Sequence, residues 1–286
     1  MANYSDRDLE IISAELRLML LKYIMIARAG HTGGDLSCID ILNVLYNDVL
    51  NCSPDNMNDP GRDRYIQSKG HAVEALYVVL AKKGFFPEED LETIGRYGSN
   101  YVGHPTRKVK GIEFNTGALG HGLSISAGIA LAGKLDKSNY KVYTLLGDGE
   151  LAEGSNWEAA MFAAHNKLDN LVAIVDYNNL QITGNTSEVC NPCPIDEKFM
   201  AFGWDVTFVD GHNIPGLRKK LNDVPFSAGK PSLIIANTIK GKGVSFMENV
   251  AKWHHGVPDS DQYKQAIGEL EHNLEKIKNK ADAEYR

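Results

Sequence analysis

Apolar residues recur along the chain with two different periods. Between residues 8 and 29 they stand at helical spacing, as Leu9, Ile12, Leu16, Met19, Leu20 and Tyr23. This spacing predicts an amphipathic helix that has Asp6 as its N-cap and is ended by Gly30. Two further apolar helices are predicted over residues 39–50 and 71–81, where they pack on a shared core.

Short, strongly apolar segments alternate with helical stretches in the second half of the chain. The segments 142–146, 171–175, 205–209 and 232–236 read as buried strands, with helices near 156–167 and 213–221 between them. This rhythm predicts an α/β fold, a mostly parallel sheet with helices on both faces. Weaker strand-like pieces lie at 64–67 and 111–114. We expect one domain spanning residues 1–286, with a polar helix at about 260–280.

Composition narrows the class of protein. The chain has 286 residues, 43% of them hydrophobic, which is enough to bury a large core. Its formal net charge of -7 argues against nucleic acid or an anionic membrane as a partner, because both are met by clustered Lys and Arg. No apolar run is long enough to span a bilayer, and the first ten residues do not resemble a secretory signal. We therefore expect a cytoplasmic protein.

The four cysteines do not form a recognisable framework. Cys190 and Cys193 match C-x-x-C, but they lie in a Pro-rich stretch rather than at the start of a helix. A zinc site would need two more ligands nearby, and Cys38 and Cys52 are far away in sequence. We interpret all four as reduced thiols without a catalytic role.

Polar side chains follow two consecutive predicted strands. G-D-G at 147–149 follows the first, and D-Y-N-N at 176–179 follows the second. Asp148 and Asn178 are 30 positions apart, the length of one strand-helix-strand unit, so both should lie at the same edge of the sheet. Carboxylate and amide oxygens suit Mg²⁺, whose coordination shell is usually completed by phosphate oxygens and water.

The glycines on either side of Asp148 would let the backbone approach a diphosphate closely. The helix that follows could turn its N-terminal amides toward the same anion. Taken singly, G-D-G could be an ordinary turn and Asn-Asn a helix cap. Their combination, each after a buried strand, favours a metal-diphosphate site.

These residues resemble the thiamine-diphosphate fingerprint, G-D-G followed about 25 to 30 residues later by N-N. Within that class the chain is similar to the N-terminal, diphosphate-binding half of transketolase, because further motifs match in the same order across nearly the whole chain. They are G-H-T-G at 30–33, S-K-G-H at 68–71, G-H-P at 103–105, G-A-L-G-H-G at 117–122 and W-H-H-G at 253–256. The resemblance implies the thiamine-diphosphate-binding fold, with thiamine diphosphate and Mg²⁺, or Ca²⁺ or Mn²⁺, as cofactors.

The resemblance also implies roles for individual residues. Asp148, Asn178 and the Leu180 carbonyl would bind the metal. The cofactor would be contacted by His71, Gly117, Leu119, Gly147, Asp148, Gly149, Glu150, Asn178 and His255.

Four histidines and a glutamate are expected to serve catalysis by the same resemblance. They are His31, His71, His104, His255 and Glu153. Imidazole suits contacts to the diphosphate or to the donor sugar, since it can donate, accept and change charge near neutral pH. His254 competes with His255, which we favour because it directly precedes Gly256. Glu153 resembles the glutamate that meets its counterpart across paired active sites.

In the transketolase family, the glutamate that activates the cofactor and the groups that grip the sugar phosphate lie in further domains. The resemblance therefore implies a partner subunit that carries the pyrimidine-binding and C-terminal domains, in an α2β2 assembly acting on sugar phosphates. The implied reaction transfers a two-carbon ketol unit from a ketose phosphate to an aldose. A deoxyxylulose-phosphate synthase-like ligation and a noncatalytic regulatory homologue are the alternatives. His121 departs from the glutamine often found in its loop.

Overall fold

Five parallel strands form the centre of the computed structural model, which describes residues 4–280. The strands are β1 (Arg64–Gln67), β2 (Val142–Gly147), β3 (Leu171–Tyr177), β4 (Asp205–Asp210) and β5 (Ser232–Asn237). Their order in the sheet is β1-β2-β3-β5-β4, and every neighbouring pair is parallel. The predicted α/β fold with a mostly parallel sheet is confirmed.

Helices cover both faces of this sheet. They are α1 (Asp6–Ala27), α2 (Thr32–Val44), α3 (Val73–Lys82), α4 (Gly122–Leu135), α5 (Gly154–His165), α6 (Thr186–Val189), α7 (Ile195–Phe202), α8 (Ile214–Asn222) and α9 (Ser260–Asn279). A π-helical segment, Leu45–Val49, continues α2, and short 3₁₀ segments occupy Glu88–Thr93, Gly149–Ala152 and Ala251–His254.

Alternate residues of each central strand point into two separate hydrophobic cores. Leu145 and Ile174 face the larger core, under α1, α2, α3, α8 and α9. Leu146 and Val175 face the smaller core, under α4, α5 and α7. Since β2 is buried along its whole length, it reads as a continuous apolar run instead of an alternating one.

Several predicted boundaries were wrong for local reasons. The N-cap of α1 is Ser5, not Asp6, because the Ser5 side chain and Asp8 exchange hydrogen bonds in a capping box. The second helix begins at Thr32, seven positions before the predicted start, since its first two turns contain small and polar residues that mask the apolar pattern.

The strand predicted over residues 111–114 is absent, and this segment is a loop. Gly111 has a φ of 95°, which does not occur in a strand, and the Glu113 carboxylate is drawn away to pair with Arg62. Helices α4, α6 and α7 escaped prediction, because they are short or rich in small residues.

The strand register places the predicted motifs at one edge of the sheet. Gly147 pairs with Asp176, and Asp176 pairs with Ala236, so the segments that follow β2, β3 and β5 leave the sheet side by side. The segment after β1 joins them, since the backbone N–H groups of Ser68 and Lys69 both donate to the Leu145 carbonyl.

Within the described part of the chain, none of the helices combines the length and apolar character needed to cross a bilayer. The cytoplasmic location and the single-domain count stay predictions.

Two glycines in α4 offer a matched test of the packing. A Cβ at Gly122 would lie 2.3 Å from the Ser68 Cβ, whereas a Cβ at Gly128 would meet nothing within 4 Å. We expect Gly122→Ala to lower the free energy of unfolding by about 1–3 kcal/mol through overpacking. Gly128→Ala should raise it by about 0.5–1 kcal/mol, because alanine favours the helix. Urea unfolding measures both, and equal effects would contradict the close packing of α4 on the β1 end.

Candidate active site

A cavity of about 210 Å³ lies at the carboxyl edge of the sheet, where α/β proteins bind ligands. The segments after β1, β2, β3 and β5 contribute to its wall, together with the start of α2 and the loops before α4 and α9. It is lined by His31, Lys69, His71, Gly117, Leu119, Gly147, Gly149, Glu150, Asn178, Leu180, Gln181, Ile182, Lys240 and His254. Most residues predicted from the sequence to contact the cofactor are therefore brought together.

Beneath the cavity, the carboxylate of Asp176 joins four elements of the fold. It accepts hydrogen bonds from Ser37 of α2 at 2.6 Å, from Lys69 after β1 and from Thr238 after β5. Burial opposes charge on both members of the ion pair, but the pair and its hydrogen bonds prevail. They hold the pKa of Asp176 below, and that of Lys69 above, their ordinary values.

Glu150 binds three loops to one another instead of facing the cavity with a free carboxylate. One of its oxygens accepts from the Ser68 hydroxyl and from the Gly120 N–H at 2.9 Å, and the other accepts from the Gly147 N–H at 3.0 Å. Burial raises its pKa against these three bonds and the nearby Lys69. The carboxylate therefore shapes the cavity, and the predicted contact of Glu150 with a cofactor stays a prediction.

Asp148, Asn178 and Leu180 place oxygen atoms at the adjoining ends of β2 and β3. The Asp148 carboxylate accepts from the Gly149 N–H at 2.8 Å and from the Asn179 N–H at 2.5 Å. The Asn178 Oδ1 accepts from the Leu180 N–H at 3.1 Å. These bonds fold the two loops around a small set of hard oxygen donors, as predicted for Mg²⁺.

The electrostatics of Asp148 fit a cation at this position. Burial, with the nearby Asp176 charge, raises the pKa of Asp148 to about 6, although two backbone N–H groups and Lys240 oppose the shift. A buried carboxylate in this condition lacks a counter-charge, which a divalent cation would supply. Between residues 4 and 280, no cluster of three or more His, Cys, Asp or Glu side chains could hold a metal unaided. These oxygen donors therefore suit a metal ion whose coordination shell is completed by phosphate and water.

Two buried lysines stand at the site, and the sequence reading assigned a role to neither. Lys240 Nζ donates to the Leu180 carbonyl at 2.9 Å and bonds His254 Nδ1 at 3.0 Å. Burial and the Lys69 charge lower the pKa of Lys240 to about 8, so it stays mainly charged at neutral pH. A signal existed for both residues. Lys69 is part of the S-K-G-H motif, and Lys240 stands three positions beyond the last residue of β5.

Four further histidines gather around the His31 ring at the mouth of the cavity. Its ring centroid lies 4.8 Å from that of His255, 5.1 Å from His71, 5.5 Å from His254 and 6.3 Å from His104. Burial, reinforced by neighbouring positive charge, lowers the pKa of His31 to about 4 and of His254 to about 3. Burial also lowers the pKa values of His71 and His104. The rings that are neutral at physiological pH are therefore those of His31, His71, His104 and His254.

The structure separates the two candidates of the W-H-H-G motif. His254 lines the cavity and is tied to Lys240, whereas His255 is exposed and packs beside His31. His254, the last residue of the 3₁₀ turn at Ala251–His254, is thus a cavity residue that the sequence analysis did not favour, and the predicted cofactor contact of His255 stays a prediction.

The remaining predicted residues lie around the rim. Glu153 is exposed at the N-cap position of α5, beside Gly120. Gly117 has a φ of 148°, and a Cβ there would lie 2.8 Å from the His104 ring, so glycine is required for this close approach. Cys190 and Cys193 are exposed free thiols outside the cavity lining.

Comparison with known proteins gives a consistent result. Residues 8–280 match the family described as "Transketolase, thiamine diphosphate binding domain". The chain is 49% identical to a subunit of the apulose-4-phosphate transketolase of Phocaeicola vulgatus, over 94% of this chain and 96% of that one. It is 43% identical to the SqwG subunit of the 6-deoxy-6-sulfo-D-fructose transketolase of a Clostridium species, over 92% of this chain and 96% of that one.

Full-length transketolases are similar over part of their length. The human enzyme is 37% identical over 89% of this chain, which spans 41% of that protein. The solved structure of transketolase from Leishmania mexicana superposes with a TM-score of 0.84 at 26% identity, over 97% of this chain and 45% of that one. The Campylobacter jejuni enzyme gives a TM-score of 0.82 at 30% identity, over 96% of this chain and 49% of that one. The chain thus spans about half the length of these enzymes.

The buried ion pair under the cavity can be tested against an exposed one. Lys69→Met would leave the Asp176 carboxylate buried without its cation, so we expect the free energy of unfolding to fall by about 3–5 kcal/mol. Lys82→Met breaks a half-exposed pair with Glu15 and should cost about 0–1 kcal/mol. Chemical unfolding of both variants measures the difference. A Lys69→Met variant as stable as Lys82→Met would refute the role of this pair.

Proposed function

The chain belongs to the transketolase family, and from this we propose that it is the diphosphate-binding subunit of a transketolase completed by a second polypeptide. The observation that carries the proposal is the cavity, where Asn178 and Leu180, with the buried Asp148 carboxylate beside them, meet two buried lysines and a group of neutral histidines. Such a site suits a magnesium-bound diphosphate and, beside it, the hydroxyl and carbonyl groups of a sugar.

Thiamine diphosphate is the cofactor of the matching domain family, and the metal is part of our proposal. Asp148, Asn178 and the Leu180 carbonyl would hold Mg²⁺, or Ca²⁺ or Mn²⁺ in its place. Gly147 and Gly149 would allow the diphosphate to approach the backbone, and Gly117, Leu119 and His71 would contact the cofactor from the other wall.

When bound, thiamine diphosphate supplies the nucleophilic carbon that takes up and passes on a two-carbon ketol unit. The residues of this chain have supporting tasks. Lys69 and Lys240 place positive charge beside the position proposed for the diphosphate, and the Asp176 carboxylate keeps Lys69 fixed. Glu150 maintains the spacing of three loops, so the cavity is formed before a ligand enters.

The histidines would handle the sugar. Because His31, His71, His104 and His254 are neutral, each ring offers one donor and one acceptor to hydroxyl and carbonyl oxygens. His254 Nδ1 accepts a hydrogen bond from Lys240 Nζ, which leaves the Nε2–H of His254 as its donor. His255, next to His31 and exposed, would meet the substrate from the open side.

A second polypeptide would supply what the family places in further domains, namely the pyrimidine-binding and C-terminal domains. The relatives that are named as transketolase subunits support such a division, since this chain spans 96% of the one from Phocaeicola vulgatus. We propose an α2β2 assembly in the cytoplasm, in which Glu153, exposed beside the cavity loops, faces its counterpart across the paired sites.

The donor would be a phosphorylated or similarly anionic ketose. Two relatives carry the names of such sugars, apulose 4-phosphate and 6-deoxy-6-sulfo-D-fructose, and the identity to the former is 49%. Apulose 4-phosphate and xylulose 5-phosphate are therefore the first donors to test, with an aldose phosphate as the acceptor.

The decisive assay compares this chain alone with this chain plus its partner subunit, in thiamine diphosphate and Mg²⁺. We expect ketol transfer from one of these ketose phosphates only when both subunits are present. Pyruvate as donor distinguishes the alternative, since consumption of pyruvate with release of CO₂ would replace the proposal by a decarboxylating ligation. Failure of the complex to bind thiamine diphosphate would indicate a noncatalytic homologue.

The proposed metal ligand can be tested with a conservative change. Asp148→Asn keeps the shape of the side chain but removes its charge, so Mg²⁺-dependent binding of thiamine diphosphate should weaken by at least about 100-fold. Asp136→Asn, on the exposed end of α4, should leave binding unchanged. Isothermal titration of the two-subunit complex at fixed Mg²⁺ measures both. Equal affinities would exclude Asp148 as a ligand.

A further inference from the structure

A pair of buried acidic residues outside the cavity lining has no role in the proposed function. Asp35 lies in the first turn of α2 and Glu74 in the first turn of α3. Asp35 is 0% and Glu74 4% exposed. Burial of two neighbouring acidic side chains is costly unless their charge is compensated, so the pair needs a physical explanation.

Their hydrogen bonds supply one. The Asp35 Oδ1 accepts from the Ala75 N–H at 2.9 Å. Within residues 4–280, Asp35 Oδ2 and Glu74 Oε2 have no hydrogen-bond partner. The Ala75 N–H belongs to the residue next to Glu74, so the two carboxyl groups are neighbours, and a hydrogen bond between them would satisfy both oxygens. Since an ionised carboxylate can only accept, such a bond exists only when one of the two carries a proton.

These first turns also carry the two histidines at the centre of the site. His31 is the residue directly before α2, and His71 precedes α3 by two positions. A Cβ at Gly34 would stand 3.6 Å from the His71 Nε2, so the start of α2 packs on that ring. Whatever fixes one turn against the other therefore fixes the distance between the two imidazoles.

We propose that Asp35 and Glu74 share one proton, and that this bond positions His31 and His71 by locking the first turns of α2 and α3 together. Neither residue contacts the cavity, so both are positioning residues, not catalytic ones. The shared proton stands on the geometry of this chain alone. Only its value to catalysis rests on the proposed function.

The surroundings of the pair favour retention of this proton. Burial raises the pKa of Asp35 to about 7, although the Ala75 N–H and the Lys69 charge oppose the shift. Burial and the neighbouring Asp35 raise the pKa of Glu74 well above its ordinary value. The other titratable groups that face the pair are the thiol of Cys38 and the phenol of Tyr77. Burial raises the pKa values of both, so they stay neutral.

The sign of the pH effect follows from these directions. Both folded pKa values lie above the unfolded ones, so the stabilisation is complete below the unfolded values and is lost as pH rises through the folded ones. The pH range over which this stabilisation is lost begins near 4.5, the ordinary pKa of glutamate, and extends through about 7, the pKa of Asp35. Within it, one retained proton lowers the folding equilibrium constant by up to about tenfold per pH unit.

Glu74→Gln tests the shared proton directly. Its amide can donate to Asp35 at every pH, so the bond persists while one titrating group is lost. We expect the fall of the folding equilibrium constant between pH 5 and 8 to be shallower than in the wild type, by up to about tenfold per pH unit. Glu92→Gln, at an exposed glutamate, should keep the wild-type slope and serves as the control. Comparing slopes removes the contributions of Asp148 and the histidines.

A second measurement tests positioning. Diethylpyrocarbonate modifies neutral imidazole, and the pKa of His31 is about 4, so above pH 6 its reactivity reports accessibility instead of protonation. In the full chain, modification of His31 and His71, quantified by peptide mass spectrometry, should rise with pH by up to about tenfold per unit. In Glu74→Gln it should stay flat, and in Glu74→Leu, which cannot bond Asp35, it should be high at every pH.

The outcomes separate this proposal from the proposed function. A wild-type slope in Glu74→Gln would overturn the shared proton. A shallower slope combined with unchanged His31 and His71 modification would overturn positioning. Neither measurement uses cofactor, substrate or partner, so both hold even if the complex proves inactive as a transketolase.

Discussion

The buried ion pair between Asp176 and Lys69 is the interaction on which the rest of the site depends. Asp176 is the last fully buried position before the loop with Asn178, and its carboxylate reaches α2, the β1 end and the β5 end at once. Each of these segments carries a group of the cavity wall. Because a carboxylate in the core must be neutralised, the requirement to satisfy Asp176 also fixes where those segments meet.

The charges of the site suggest that its ligands depend on one another. Asp148 is a buried carboxylate short of positive charge, and Lys69 and Lys240 are buried cations close to one another. A divalent cation would relieve the first imbalance, and an anion such as diphosphate would relieve the second. A metal alone would leave the lysine charges uncompensated, and a diphosphate alone would leave the Asp148 charge uncompensated. A metal and a diphosphate bound together therefore suit this cavity better than each separately.

The sequence predicted the features that depend on short-range pattern. Strand-ending motifs such as Asp148 and Asn178 were located correctly because parallel strands must place their carboxyl ends at one edge. Long-range partners were not predicted. Nothing in the sequence indicates that Lys69 meets Asp176, 107 residues away, or that Lys240 reaches the Leu180 carbonyl across 60 residues. The start of α2 was missed because its glycines and polar residues serve the site and break the helical pattern.

At the W-H-H-G motif, the sequence pattern could not decide which of the two histidines lines the cavity. His254 and His255 are adjacent and chemically identical, so only the direction of the backbone can distinguish them. The 3₁₀ turn at Ala251–His254 is anchored by burial of Trp253, and the start of α2 is fastened to the following Gly256 through Thr32 at 2.6 Å. These two anchors turn His254 toward Lys240 and leave His255 beside His31 at the open side. One motif thereby supplies two different surfaces, an inner one that orients a lysine and an outer one that can meet a substrate.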